Sequence, residues 1–144
     1  MTDYRRSLVS SHRVPMVQPS EEAITSYDQA IELKPDYHQA WYNRSFVISA
    51  LGRHEEAITS YDQAIELKPH DHYAWYNKAR CCAQWGKTEA AIESLRRAIE
   101  LNPECREWTK TEADFDGIRE DERFQALLEG SGSAGWFQGR ERKL

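Results

Sequence analysis

No apolar run in this chain approaches the ~20 residues that a membrane-spanning helix needs. Arg5-Arg6 near the start is not followed by an apolar stretch either: Leu8 and Val9 run straight into Ser10, Ser11, His12 and Arg13. No secretory or twin-arginine signal is therefore read there. Cysteine is scarce. The three thiols are an odd number, Cys81 and Cys82 are adjacent, and no Cys-x-x-Cys occurs. That argues against a disulfide framework and for a reducing, cytoplasmic location. A basic surplus is also missing. The formal net charge is −5, which disfavours non-specific nucleic-acid binding through counterion displacement. No phosphate-cradling glycine loop and no Ser-His-Asp set with a recognisable nucleophile is present.

What the chain does have is internal repetition. Glu21 to Pro35 reads EEAITSYDQAIELKP, and Glu55 to Pro69 repeats those fifteen residues without a change. Thr88 to Pro103 gives a third version, TEAAIESLRRAIELNP. Pro35, Pro69 and Pro103 are spaced by 34 residues. The stretches between them are related as well, HQAWYNRSFVISALGRH from His38 and HYAWYNKARCCAQWGKT from His72.

Each 34-residue unit carries two helical patterns. In 37–70 the first spans about Tyr37 to Ala50, with Trp41, Ser45, Ile48 and Leu51 at helical intervals and Gly52 as a stop. The second spans about His54 to Leu67, with a stripe of Ala57, Tyr61, Ala64 and Ile65 and Pro69 as a terminator. Short connectors make such helices antiparallel neighbours. A lone hairpin leaves one apolar face bare, so stacking of hairpins into a solenoid is expected. The same spacing gives a half unit at 20–36, opened by Ser20 as an N-cap, and a second full unit at 71–104. Residues 1–19, with Pro15 and Pro19, are expected to be an irregular segment in place of a first helix.

These residues resemble the tetratricopeptide repeat. Its pattern asks for Trp, Leu-Gly, Tyr, Ala, a large aromatic residue, Ala and Pro, and the chain supplies Trp41, Gly52, Ala57, Tyr61, Ala64 and Pro69, then Trp75, Gly86, Ala91, Leu95, Ala98 and Pro103. Arg44 and Lys78 stand where the family has leucine, and Ile48 and Cys82 where it has a first-helix tyrosine. The resemblance implies an all-α fold, an antiparallel helix-hairpin solenoid forming a tetratricopeptide superhelix. Residues 105–129 resemble the capping segment that closes bacterial, especially cyanobacterial, arrays. It is expected to be helical, with Phe115 and Ile118 folded back and Phe124, Leu127 and Leu128 facing the array. Residues 130–144, rich in Gly and Ser, are expected to be a flexible tail carrying Trp136 and Phe137.

The resemblance also places the first helix of each hairpin on a concave face. Gln39, Tyr42, Asn43, Phe46 and Ser49, then Tyr73, Tyr76, Asn77, Arg80 and Gln84, are the residues it puts there. Glu107, Lys110 and Asp114 follow from the next helix. Aromatic flats and amides of this kind suit an extended peptide or a helix of another protein. Other chemistry is not expected. Cys82 falls at a packed position, Cys105 in a connector, and His70 and His72 flank Asp71 with no further ligand at fixed spacing. The acids around Asp114, Asp116, Glu120, Asp121 and Glu122 lack calcium-loop spacing. The expectation is a non-enzymatic scaffold or adaptor without catalytic residues, cofactor or metal, binding a protein but not nucleic acid, and without a membrane span. The alternative is a self-assembly module, a weak homodimer through the bare edge at 21–33.

Overall fold

The computed structural model describes residues 20–130; the expectations for residues 1–19 and for the tail, Trp136 and Phe137 included, lie outside the described residues. The elements are α1 (Glu21–Leu33), α2 (His38–Ala50), α3 (His54–Leu67), α4 (His72–Gln84), α5 (Thr88–Leu101) and α6 (Cys105–Thr111). A 3-10 helix, η1 (Ala113–Ile118), and a last helix, α7 (Glu122–Leu128), complete them. No strand occurs among the described residues, and no helix there is long and apolar enough to cross a membrane. Helices α2 and α3 form one antiparallel hairpin and α4 and α5 the next. Helix α1 packs on α2, α3 on α4, and the cap of α6, η1 and α7 closes over α4 and α5.

Recurrent local chemistry builds each unit. Gly52 and Gly86 take φ of 83° and 82°, which side chains beyond glycine rarely adopt. Each sits in a reciprocal C-terminal motif: Arg53 N–H donates to Ile48 O and Gly52 N–H to Ser49 O, while Lys87 N–H donates to Cys82 O and Gly86 N–H to Ala83 O. Ser20 and Asp71 cap α1 and α4 by accepting from Ala23 N–H and Tyr73 N–H. The indole of Trp41 donates to Pro35 O at 2.8 Å, and that of Trp75 to Pro69 O at 2.9 Å. The tryptophan thus ties the proline connector to the first helix of the next hairpin.

The basic residues at the leucine positions bridge consecutive hairpins. Arg44 pairs with Asp28 at 2.6 Å, Lys78 with Asp62 at 2.7 Å. Arg44 also reaches Glu56 and donates to Ser60, and Lys78 lies 5.6 Å from the Trp75 ring centroid. Their stems stay close to apolar surface while the charge finds a partner. Ile48 and Cys82 are buried at the tyrosine positions.

The cap has its own core, in which Phe115, Ile118, Phe124 and Leu127 are buried and Leu128 is partly so. Cys105 differs from the expectation. It opens α6 and is fully buried, because the cap folds over it.

Helices α1 and α3 share thirteen identical residues and differ in surroundings. Ala57, Tyr61 and Ala64 of α3 are buried, Tyr61 to 1% exposure, under α2 and α4. Ala23, Tyr27 and Ala30 of α1 are only half-buried. Local sequence fixes the helix, and the neighbour fixes the burial. Truncating a buried aromatic costs about 3–5 kcal/mol. Tyr61→Ala is therefore expected to destabilise by that amount, and Tyr27→Ala by roughly 1 kcal/mol. Urea melts of the two variants measure both, and equal losses would contradict this account of the packing.

Candidate functional site

The first helices α2 and α4 and the start of the cap face one another across an inner surface. Three positions 34 residues apart, Phe46, Arg80 and Asp114, meet there. They line a cavity of about 210 Å³ together with Ser49, Asn77 and Gln84.

Much of the polar lining is already engaged. Arg80 Nε donates to Asp114 Oδ2 at 2.9 Å, and Arg80 Nη2 lies 2.8 Å from the same oxygen. Arg80 Nη1 donates to Asn77 Oδ1 at 2.8 Å, and Gln84 Nε2 to Asp114 Oδ1 at 2.9 Å. Asn77 Nδ2 donates in turn to Tyr42 Oη at 2.6 Å and to Tyr73 O at 3.0 Å. Glu112 stands 3.6 Å from Arg80 Nε. Burial works against the Arg80 charge, but Asp114 and Glu112 outweigh it and hold the guanidinium more firmly protonated than usual. Burial raises the Tyr42 and Tyr61 hydroxyls above their ordinary range, so both stay neutral at pH 7, and Tyr42 accepts from Asn77. The chain Tyr42–Asn77–Arg80–Asp114–Gln84 is a charge-assisted network that bolts η1 to α4 and α4 to α2.

The residues expected on this face divide into two groups. Tyr76 and Asn77 are buried, Tyr76 to 6% exposure. Tyr76 lies edge-on to Trp108 (5.4 Å between centroids) and to Phe115 (5.8 Å), so the cap covers it. Tyr42 is half-buried, stacked on His38 and edge-on to Tyr61. Its equivalence to Tyr76 in sequence is not an equivalence in exposure, since α4 neighbours α2 but the cap neighbours α4. Gln39, Phe46, Tyr73 and Lys110 are exposed, Phe46 to 49% and Tyr73 to 53%. Gln39 Nε2 donates to Asn43 Oδ1 at 3.3 Å; the amide N–H groups of half-buried Asn43 have no intramolecular partner among the described residues. Lys110 pairs with Glu107 at 2.9 Å.

Trp108 is a member of the surface that the repeat pattern does not reveal. Its ring stacks on Tyr73 at 5.9 Å and 8°. The 34-residue period places Thr109, not Trp108, in register with Trp41 and Trp75, and Thr109 is fully buried. The signal for Trp108 lies in the cap, not in the period. The three thiols are buried and free, and burial pushes Cys82 and Cys105 up to about 11 and raises Cys81. None is an activated nucleophile.

Two family models match consecutive stretches, a TPR repeat over 20–48 and a tetratricopeptide repeat over 49–108. Among solved structures, one named "MamA RS-1 ArsTM double mutant" superposes with a TM-score of 0.65 at 19% identity, over 79% of this chain and 64% of that one. That likeness is one of fold, and the chain spans less than two thirds of that protein's length. A comparison with curated proteins gives no match.

Tyr76 supplies a pH test of the packing under the cap. Burial pushes its hydroxyl up to about 12 from 10.0. Above pH 10 the unfolded chain loses this proton while the folded chain keeps it. The associated stability is complete below pH 10 and falls as pH rises towards 12. Tyr76→Phe is expected to change stability at pH 7 by no more than about 1 kcal/mol, and to make the alkaline loss shallower. Denaturant midpoints from pH 8 to 12 measure both. An unchanged alkaline slope would contradict burial of this hydroxyl.

Proposed function

The chain belongs to the tetratricopeptide repeat family, and from that premise we propose that its inner surface holds an elongated segment of another protein, a peptide or a helix, without catalysing a reaction. The family's general role as a protein-interaction scaffold sets the class. The observation that carries the finer reading is the line of exposed and half-buried groups crossing both hairpins. Asn43 offers amide donors and Phe46 an open ring on α2, and Tyr73 continues the surface on α4 against Trp108 of the cap. Partly exposed aromatics held by a stacking neighbour supply contact area with little further loss of freedom. Tyr76 and Asn77, buried beneath them, act in this reading as the support. Buried free cysteines suit a reducing compartment such as the cytoplasm.

A second reading has one specific observation in its favour. Tyr27 is half-buried where the identical Tyr61 is covered, so the edge at 21–33 offers apolar area to a second copy in a weak homodimer.

The test uses a partner captured from native extract, titrated against three variants. Aromatic hot spots cost ~2 kcal/mol or more each when truncated, about thirtyfold in affinity. Phe46→Ala with Tyr73→Ala is expected to abolish capture while the helical circular dichroism persists. Glu66→Lys, on an exposed position of α3, is expected to leave the affinity unchanged. Tyr27→Asp is expected to alter sedimentation alone. Loss of capture in Glu66→Lys or Tyr27→Asp, with Phe46→Ala/Tyr73→Ala unaffected, would move the binding surface elsewhere.

A further inference from the structure

The groove has a chemical bias. Three carboxylates, Asp71, Glu112 and Asp114, border it against the Arg80 guanidinium; Lys110 is balanced by Glu107, and Arg119, which donates to Glu112 O, by Asp116. Asp71 has His38 Nε2 at 3.1 Å, and burial lowers the pKa of that imidazole, so it adds no lasting positive charge at neutral pH. Beside this negative surplus stand Phe46 and Tyr73, both about half exposed. A ligand that fits presents an aromatic ring followed, along the chain, by basic residues.

The chain itself contains such a segment. Residues 131–144 carry Trp136 and Phe137, then Arg140, Arg142 and Lys143 against the single acid Glu141. The described fold hands the chain over at a fixed point. Arg106 Nε donates to Leu127 O at 2.9 Å, and a Cβ at Gly130 would lie 3.6 Å from the same nitrogen. The exit is thus pinned to the first turn of α6, the helix that carries Trp108. Trp108 lies around the other side of α6, a detour of about one helix diameter, ~10 Å. Six residues from Gly130 to Trp136 span up to ~20 Å. The next four residues reach ~13 Å further, which matches the ~10 Å of helix rise between Tyr73 and Arg80.

Resting on the groove reading above, we infer that residues 131–144 are an intramolecular occupant of the groove, with Trp136-Phe137 on the Tyr73–Trp108 surface and the basic residues beside Phe46, Asp114 and Glu112. The short spacer gives an effective concentration of ~1 mM, so even a contact with a dissociation constant of ~0.1 mM is closed about nine tenths of the time. The tail then competes with any partner, and capture requires its release.

The test is paramagnetic broadening of amide signals in the full chain. Gln138→Cys carries a nitroxide; Cys81, Cys82 and Cys105 are buried and resist labelling. The signals of Asn43, Phe46, Tyr73 and Arg80 are expected to lose more than about half of their intensity, for a site closed most of the time. Glu93 and Arg97 on α5 are expected to keep theirs. Adding Trp136→Ala and Phe137→Ala is expected to restore the groove signals. Weak broadening over the whole surface, or broadening that survives the double alanine change, would overturn the inference. Broadening of an unlabelled isotopic chain mixed with labelled chain would place a second copy's tail in the groove and overturn it too. The groove reading is tested apart from this. If the nitroxide broadens nothing there while Phe46→Ala/Tyr73→Ala still abolishes capture, the tail proposal alone fails.

Discussion

Every second helix in this array is apolar on more sides than its own hairpin can cover. That constraint sets the rest of the structure. Helix α3 is covered by α2 within its hairpin and by α4 from the next, and its alanines and Tyr61 vanish from the surface. Helix α5 has no following hairpin, so α6, η1 and α7 fold across the end and bury Phe115, Phe124 and Leu127. The small residues Ala57, Ala64, Ala91 and Ala98 let the paired helices approach closely, and the Trp-to-proline hydrogen bonds fix where each new hairpin begins. Stability in such a stack is a sum of units and nearest-neighbour contacts.

The inner surface follows from the same stacking. Residues 34 apart come side by side, so the substitutions from unit to unit decide what meets. Phe46, Arg80 and Asp114 occupy one register, and the last two close a charged pair across the α4–η1 contact. That pair draws in Asn77, Gln84 and, through Asn77, Tyr42. The centre of the groove is consequently rigid and internally satisfied. The groups that the proposed partner would meet lie around it: Asn43 and Phe46 on one wall, Tyr73 with Trp108 on the other.

The fold was legible in the sequence because its signals are local and repeated. The 34-residue period, the glycines at 52 and 86 and the prolines at 35 and 69 each act within a few residues of themselves, and the helix bounds follow them closely. The exposure of site residues was less legible, because burial depends on what packs from outside. Tyr42 and Tyr76 have the same local context, Trp-Tyr-Asn, yet the cap removes Tyr76 from the surface through Trp108 and Phe115. Trp108 escaped the pattern since the period breaks one residue away from it. Arg44 and Lys78 read as departures from the family leucine. Their meaning came from Asp28 and Asp62, sixteen residues earlier in each case, across the seam between hairpins.

The central claim is that a partner lies along the inner surface and touches both hairpins at once. Amide chemical-shift mapping of the full chain with its captured partner tests it most directly. The account predicts perturbations at Gln39, Asn43 and Phe46 on α2 and at Tyr73 on α4 in the same titration, with a common midpoint, and none on the exposed faces of α3 and α5. Perturbations confined to α3 and α5, or to one hairpin alone, would contradict it.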